Sequence, residues 1–577
     1  MSTIETALAP PRKSIRVWPG LIAVVLQWLG WFVLPVIAPR AVFIALLSGV
    51  VGGLIILLWW LFFSRAPWLE RIGAVVLIVL ALIGTKRLVH ESIAGGAMGN
   101  LLYVLAIPVF SMGLVLWAAV TRHFSTAKRR LAFIPMIVIG CGVFMVLRTG
   151  GLTAEFDNDL HWRWSKTPEQ ALLAQLTEER ATPATANATT PASTESGWSG
   201  FRGPQHDSTV RGVKIKTDWS ASPPVELWRR PIGPAWSSFA VQNGRFYTQE
   251  QRGEEEIVSC HDVKTGKPVW RHSDKARFYE SNAGAGPRAT PALSNGRVYT
   301  QGATGIVNVL DAATGDVIWT RNAVTDTGAK VPGWGIAGSP LVVNDLVVVA
   351  AAGNLVAYEL ASGKPRWFGP AGGTGYSSPQ LLTINGIQQI VLLRSTGVTS
   401  VSLTDGKLLW EHAWEGVPIV QPGLAPNGDL LISVSQSSGL RRLGVSQGSG
   451  GWTIQERWTT EDINPWFNDF VVHNGHAYGF DGSSLVCVNL DDGKLKWRGK
   501  RYGYGQLVLL PEQDLLLVLS EQGELALAKT ATDQFTELAH FPALQGKTWN
   551  HPVLVGDVLL VRNDHEMAAF KLSTEGG

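Results

Sequence analysis

Asp262-Val-Lys-Thr-Gly266-Lys-Pro-Val-Trp270 and Asp311-Ala-Ala-Thr-Gly315-Asp-Val-Ile-Trp319 are two copies of one phrase. Looser copies follow as Ala361-Ser-Gly363-Lys-Pro-Arg-Trp367, Thr404-Asp-Gly406-Lys-Leu-Leu-Trp410 and Asp491-Asp-Gly493-Lys-Leu-Lys-Trp497. In each, Gly precedes Trp by four residues, and aliphatic or β-branched runs lie on either side. Thr-Gly, Ser-Gly or Asp-Gly between two apolar strands is a tight hairpin turn, because Gly supplies the positive φ that the turn needs. Trp then opens the outgoing strand, so each phrase marks one hairpin of one repeat.

Working outward, the periodic tryptophans are Trp228, Trp270, Trp319, Trp367, Trp410, Trp458 and Trp497, with Phe535 in the eighth place. Successive gaps of 38 to 49 residues match a four-stranded propeller blade. Eight outer-strand markers predict an all-β propeller of eight four-stranded blades. Trp228 precedes any complete blade, and the stretch from Trp549 to Leu572 lacks a Trp-bearing outer strand. The N-terminal strand is therefore expected to complete the last blade, which leaves no open sheet edge. The tryptophans read as plates packed between blades.

No Trp-Asp dipeptide or Gly-Gly signature marks the blades as in other propellers of similar period. The phrase with Gly four before Trp resembles instead the docking repeat of the pyrroloquinoline-quinone (PQQ)-like propellers. Gly197-Trp198-Ser-Gly-Phe201-Arg202-Gly203-Pro204 resembles the aromatic-glycine entry to that domain. The resemblance covers roughly residues 197–573. It implies the fold, whereas the family holds both dehydrogenases and non-catalytic scaffolds.

Composition changes sharply near residue 150. Apolar stretches lie at about 19–38, 41–63, 70–89, 99–121 and 131–148. Each is close to the roughly 20 residues that cross a bilayer as a helix, so residues 1–150 read as an anchor of about five transmembrane helices. Trp18, Trp59, Trp60, Trp68 and Trp117 fall near stretch ends, as interfacial aromatics do. Nine basic residues (Arg12, Lys13, Arg16, Arg65, Arg71, Arg122, Lys128, Arg129 and Arg130) mark one side, against three (Arg40, Lys86 and Arg87) on the other. The positive-inside rule then puts the N-terminus in the cytoplasm and everything after residue 150 in the periplasm of a Gram-negative cell, held by the inner membrane. No charge lies mid-span to suggest an ion pathway. Gln27, Ser48, Asn100 and Ser111 are expected to make interhelical contacts.

Residues 151–196 form a connector. Thr167-Pro168-Glu169-Gln170 opens a helix with Thr as N-cap, Pro at the first position and Gln three after the cap. Ala181 to Ser196 is rich in Ala, Thr, Pro and Ser and reads as a tether. Residues 197–577 are the propeller. A net charge of +3 with no basic run outside the membrane loops excludes nucleic-acid binding. Three cysteines are too few for a disulfide scaffold, and no Cys/His cluster has metal-ligand spacing, so no metal site is read.

A second repeat opens the innermost strands. Ser238, Thr290, Ser339, Ser378, Gln421, Asp469, Gln506 and His551 supply one polar residue per blade. Two positions earlier stand Trp236, Arg288, Ala337, Tyr376, Ile419, Phe467, Tyr504 and Trp549. Both rings are expected to line a funnel on the axis. One reading is structural: short polar groups satisfy strand ends. The other is a site for a small planar or anionic ligand, with Trp236, Tyr504 and Trp549 stacking and Arg288 pairing charge. Asp469 and His551 are the candidate general bases.

The family resemblance sharpens the choice of function. An alcohol-oxidising PQQ dehydrogenase would use adjacent disulfide-linked cysteines, absent here, with Ca²⁺ held by a carboxylate and an Asn amide. Asn468 beside Asp469 matches part of that arrangement, and Asn550 offers another amide. Five helices before a quinoprotein propeller resemble membrane-bound glucose dehydrogenase, which lacks the cysteine pair, so PQQ with Ca²⁺ stays open as cofactor. The compact ring resembles more closely the propeller lipoprotein of the outer-membrane barrel-assembly machinery, a scaffold. The expectation is a membrane-anchored periplasmic binding or scaffold module, with an envelope protein or a planar anion as partner. A PQQ-dependent dehydrogenase passing electrons to membrane quinone is the alternative.

Overall fold

The computed structural model describes residues 15–38, 42–154, 157–179, 197–434 and 438–575. The basic residues Arg12, Lys13 and Arg40 and the tract at 181–196 lie outside them. The chain forms two compact units, residues 1–165 with 280–283, and residues 166–279 with 284–577.

In the first unit, Trp18–Ile37, Ile44–Phe63, Trp68–Thr85 and Leu101–Val120 are helices of 18 to 20 residues, apolar enough to cross a membrane. The fifth expected stretch differs. Thr126–Leu131 and Phe133–Met145 are separate helices, and the chain turns into a strand at Leu147. Pro135 has no N–H for the Leu131 carbonyl, so the hydrogen-bond ladder is interrupted there. The two pieces together still run the length of the bundle. Arg129 pairs with the buried Glu70 at 2.6 Å, beside the start of Trp68–Thr85. Arg163, 18 residues after Met145, donates to the carbonyls of Met145 and Leu88, past the other end of that helix. Among the described residues, four helices are thus long and apolar enough to cross a membrane, and the two shorter pieces Thr126–Leu131 and Phe133–Met145 pack beside them.

The aromatics sort differently from the expectation. Trp59, Trp60 and Trp117 turn inward and donate Nε1–H to the carbonyls of Arg16, Arg71 and Arg129, each at 3.0 Å. Those bonds knit together the end where the basic residues lie. Trp18 and Trp68 stay exposed, each under a guanidinium, Arg16 at 4.9 Å and Arg71 at 4.8 Å. Gln27 joins passes by donating to the Gly49 carbonyl at 2.8 Å.

The second unit opens with the helix Pro168–Glu179, whose capping box is made: the Gln170 amide donates to Thr167 Oγ1 and the Thr167 amide to Gln170 Oε1. Glu169 then accepts from Gly253 and Arg277 and so holds the helix to blade 1. Eight four-stranded antiparallel sheets follow among the described residues. They are blade 1 (240–274), blade 2 (292–322), blade 3 (341–368), blade 4 (380–413), blade 5 (423–460), blade 6 (471–501), blade 7 (506–542) and blade 8 (553–571). Blade 8 has only three strands of its own. Val225–Pro231 supplies the fourth, pairing Trp228 opposite Ala569, and closes the ring.

The repeat phrase works by docking. A Cβ on Gly266 would meet the Trp228 indole at 2.6 Å, and one on Gly315 would meet Trp270 at the same distance. Gly363, Gly406 and Gly493 stand likewise against Trp319, Trp367 and Trp458. Each glycine therefore serves both the turn, at φ +64° for Gly266 and +81° for Gly315, and the indole of the blade before it. The same indoles donate Nε1–H onward: Trp228 to Val263, Trp270 to Ala312, Trp319 to Leu360, Trp367 to Leu403. Trp410 departs from the pattern and donates to Gln389 in its own blade, since blade 5 replaces the phrase with the long hairpin Leu440–Gly448 and Gly451–Thr460. Phe535 is not the eighth strand marker. Ala539 holds that register opposite Leu527, and Phe535 lies before the strand, packed on Trp497 with ring centroids 5.5 Å apart.

Candidate functional site

The polar ring is a belt of hydrogen bonds from blade to blade. The backbone N–H of Ser238 donates to Thr290 Oγ1, Thr290 to Ser339 Oγ, Ser339 to Ser378 Oγ, Ser378 to Gln421 Oε1 and Gln421 to Asp469 Oδ1, at 2.7 to 3.0 Å. Ser238 Oγ donates to the His551 carbonyl at 2.5 Å. All eight ring residues are buried. Five of the eight side chains, those of Thr290, Ser339, Ser378, Gln421 and Asp469, thus supply the partner that the neighbouring strand's first amide would otherwise lack.

Asp469 and His551 are drawn further in by the entry segment. The Ser199 carbonyl accepts from Leu293 in blade 2, and three residues later Arg202 donates to the Phe470 carbonyl of blade 6, on the opposite side of the ring. The segment therefore crosses the axis. Arg202, buried and at a positive φ of 63°, stands 3.4 Å from Asp469 and donates to Ser208 Oγ at 2.8 Å. Ser208 Oγ lies 2.9 Å from His551 Nε2, while His551 Nδ1 faces the Pro552 carbonyl at 2.8 Å. Burial pushes the Asp469 pKa up against the pull of Arg202 and the Gln421 amide. Burial and then the Arg202 charge bring the His551 pKa down to about 3, so the ring stays neutral.

The second ring is the accessible surface. Its eight members are all half-buried, whereas the ring beneath is buried. Trp236 and Trp549 have centroids 4.7 Å apart, Phe467 lies 4.9 Å from Trp549 and 5.1 Å from Tyr504, and together they form an aromatic arc over blades 1, 6, 7 and 8. Lys547 sits over Trp549 at 4.4 Å and over Trp236 at 5.4 Å. Glu521 accepts from Trp549 Nε1 at 2.7 Å and fixes that indole. Arg288 turns aside. It donates to the carbonyls of Gly284, Ala285 and Gly286 and covers Phe278, which makes it a loop clasp. Asn468 and Asn550 lie buried below the mouth. Asn468 Oδ1 accepts from Trp466, and Asn550 Nδ2 donates to the carbonyls of Ala235 and Ser237.

Of the sequence-derived candidates, the structure gathers Trp236, Tyr504 and Trp549 at the mouth and commits Asp469 and His551 to the belt beneath it. Sequence reasoning missed four residues. Arg202 was visible only as part of the entry motif. Lys547 lies two before Trp549 and was hidden by the period. Trp334 and Trp466 sit in connections three blades apart, yet their rings meet at 5.6 Å across the mouth, with Trp334 also 5.1 Å from Tyr376.

Among known proteins, the family model described as outer membrane protein assembly factor BamB matches residues 222–377 and 254–497. BamB of Yersinia pestis is 23% identical over 367 residues, covering 60% of this chain and 78% of that one. The dehydrogenase subunit of the quinone alcohol dehydrogenase of Gluconobacter oxydans is 24% identical over 330 residues, and the match spans 48% of this chain and 41% of that one. The solved quinohemoprotein alcohol dehydrogenase ADHIIG of Pseudomonas putida aligns at TM-score 0.49 and 14% identity, over 66% of this chain and 81% of that one. The Gly-to-Trp docking repeat, the ring of eight four-stranded blades and the family match together make this module a PQQ-like β-propeller.

Proposed function

We propose that the protein is a membrane-anchored envelope protein whose propeller is a non-catalytic binding or scaffold module, with the aromatic mouth as its contact surface. In this reading the two shorter pieces make a fifth pass, the N-terminus is cytoplasmic and the propeller periplasmic, on the strength of the basic residues at one end of the bundle. The observation that carries the reading is the state of Asp469 and His551. A general base must reach a substrate proton. Asp469 is buried against Arg202 and the Gln421 amide, and His551 is buried against Ser208 and the Pro552 carbonyl.

PQQ with Ca²⁺ does not fit these residues. Asp469 has its carboxylate under a guanidinium, and Asn468 gives its oxygen to the Trp466 amide. Asn550 Oδ1 has no partner, and its Nδ2 is held by the carbonyls of Ala235 and Ser237. The dehydrogenase alternative draws its support from the relatives named as quinone-dependent alcohol dehydrogenases.

The two readings separate on one assay. Full-length protein in detergent, given PQQ and Ca²⁺ and a panel of alcohols and sugars, is expected to show no dye reduction above protein-free controls. Turnover that disappears in Asp469→Asn would overturn the scaffold reading.

A further inference from the structure

Just after the last helical pass the chain makes a small β-hairpin. Leu147–Leu152 pairs antiparallel with Asn158–Trp162, placing Leu147 opposite Trp162 and Thr149 opposite Leu160. The hairpin is fastened to the end of the bundle. The Arg163 guanidinium donates to the carbonyls of Leu88 and Met145, its backbone N–H donates to the Val146 carbonyl at 2.8 Å, and the Thr149 amide donates to Ser92 Oγ at 3.0 Å. One face of the hairpin, carrying Leu160, Trp162 and Trp164, is apolar, while the other exposes Asp159 and His161, paired at 2.9 Å. Trp162 and Trp164 stack at 5.4 Å with their planes 5° apart, and are 54% and 70% exposed. Leu160 on the same strand is exposed, as are Leu88 and Met98 at this end of the bundle.

We infer that this hairpin lies in the membrane interface, its two stacked indoles set at the boundary between headgroups and acyl chains of the leaflet nearest Met145. Three observations favour lipid over a protein partner as the occupant. The patch is bonded just past the end of Trp68–Thr85, whose exposed side chains, such as Val76, Val79, Leu80 and Ile83, are apolar. Its composition is that of an interfacial belt, with Trp beside Arg163 and, at the ends of the same helices, Lys86 and Arg87. The opposite end of the bundle has the matching belt, Trp18 and Trp68 exposed under Arg16 and Arg71. An indole suits such a layer because its body is apolar and its N–H needs a polar partner. The strand pairs Leu147–Trp162, Arg148–His161 and Thr149–Leu160 satisfy backbone groups beside the indoles, as a segment at that depth requires. Two belts, one at each end, would fix the depth of the bundle. The interrupted fifth pass, too short in either piece alone, would then be held at its outer end by the hairpin instead of by its own length.

This inference rests on reading the bundle as membrane-embedded, and the test separates the two. In full-length protein carrying Cys141→Ala, a bimane probe is placed at Trp164→Cys, at Trp162→Cys or at Leu80→Cys, and the protein is reconstituted in phosphatidylethanolamine–phosphatidylglycerol vesicles. Lipids spin-labelled at the headgroup or deep in the acyl chain serve as quenchers. The expected result is at least twofold quenching at 164 and at 162 by the headgroup label, exceeding the deep label, with the reverse order at 80. Quenching at 80 with none at 162 or 164 would overturn the hairpin proposal while leaving the bundle in the membrane. So would a disulfide-linked dimer through Trp164→Cys, which would assign the patch to a second copy. Absence of quenching at all three positions would overturn both.

Discussion

Deleting Val225–Pro231 from the full-length chain is expected to abolish the folded propeller as a unit. Without that strand, Glu566–Lys571 becomes an open edge, and blade 8 loses its outermost member. The closing strand also carries Trp228, which stacks on Phe246 at 5.6 Å, fills the space above Gly266 and donates to the Val263 carbonyl at 2.8 Å. It therefore joins blade 8 to blade 1. Trp228→Ala alone should cost about 3–5 kcal/mol, the range for truncating a buried large aromatic. The deletion should convert sharp thermal unfolding into broad, protease-sensitive behaviour across all blades. A deletion variant that melts sharply within a few degrees of wild type would show that the ring is closed in some other way.

The second large effect is expected at Arg202. Arg202→Met removes a buried guanidinium from Asp469, the Phe470 carbonyl and Ser208, and leaves the carboxylate uncompensated. Breaking one side of a buried pair costs about 3–5 kcal/mol, whereas replacing both members with apolar side chains is close to neutral. Arg202→Met combined with Asp469→Asn, which removes the charge but keeps an acceptor for the Gln421 amide, should therefore recover most of the loss. A single variant costing under about 1 kcal/mol would mean that the network is not closed.

The same network predicts a pH dependence. His551 is held at about 3 in the folded protein, well below an ordinary imidazole, so between about pH 6.5 and pH 3 the unfolded chain binds a proton that the folded chain refuses. Stability should fall as pH drops through that window, by up to about 1.4 kcal/mol per pH unit. Asp469 acts in the opposite sense, because its raised pKa makes the folded chain the better proton acceptor as pH falls. Asp469→Asn should consequently steepen the acid limb, and His551→Gln should flatten it.

The blades were legible because one short phrase encodes two things at once, a turn that needs Gly and a plate that docks on the same Gly. Trp228, standing alone before the first blade, was enough to foresee ring closure. Phe535 misled because aromatic character at the right spacing says nothing about strand register, which only the pairing of Ala539 with Leu527 reveals. In the helical unit, hydropathy located the fifth stretch but passed over Pro135, whose missing N–H divides it. The site was half legible. The positions of both rings followed from the period, but which ring is accessible did not, because that depends on Arg202 crossing the axis from a segment more than 260 residues away from Asp469. Arg288 read as a ligand-pairing cation by its ring position, whereas its loop carbonyls claim it.

The polar ring holds the blades together and does not line a wet channel. Hydrogen exchange of the full-length protein measures this at the amides of Ser238, Thr290, Ser339, Ser378 and Gln421, each of which donates to the next blade. These amides are expected to exchange only through global unfolding, as slowly as the innermost strands themselves. Exchange at the rate of exposed loops while those strands stay protected would contradict it, and would return Asp469 and His551 to an open funnel as candidates for chemistry.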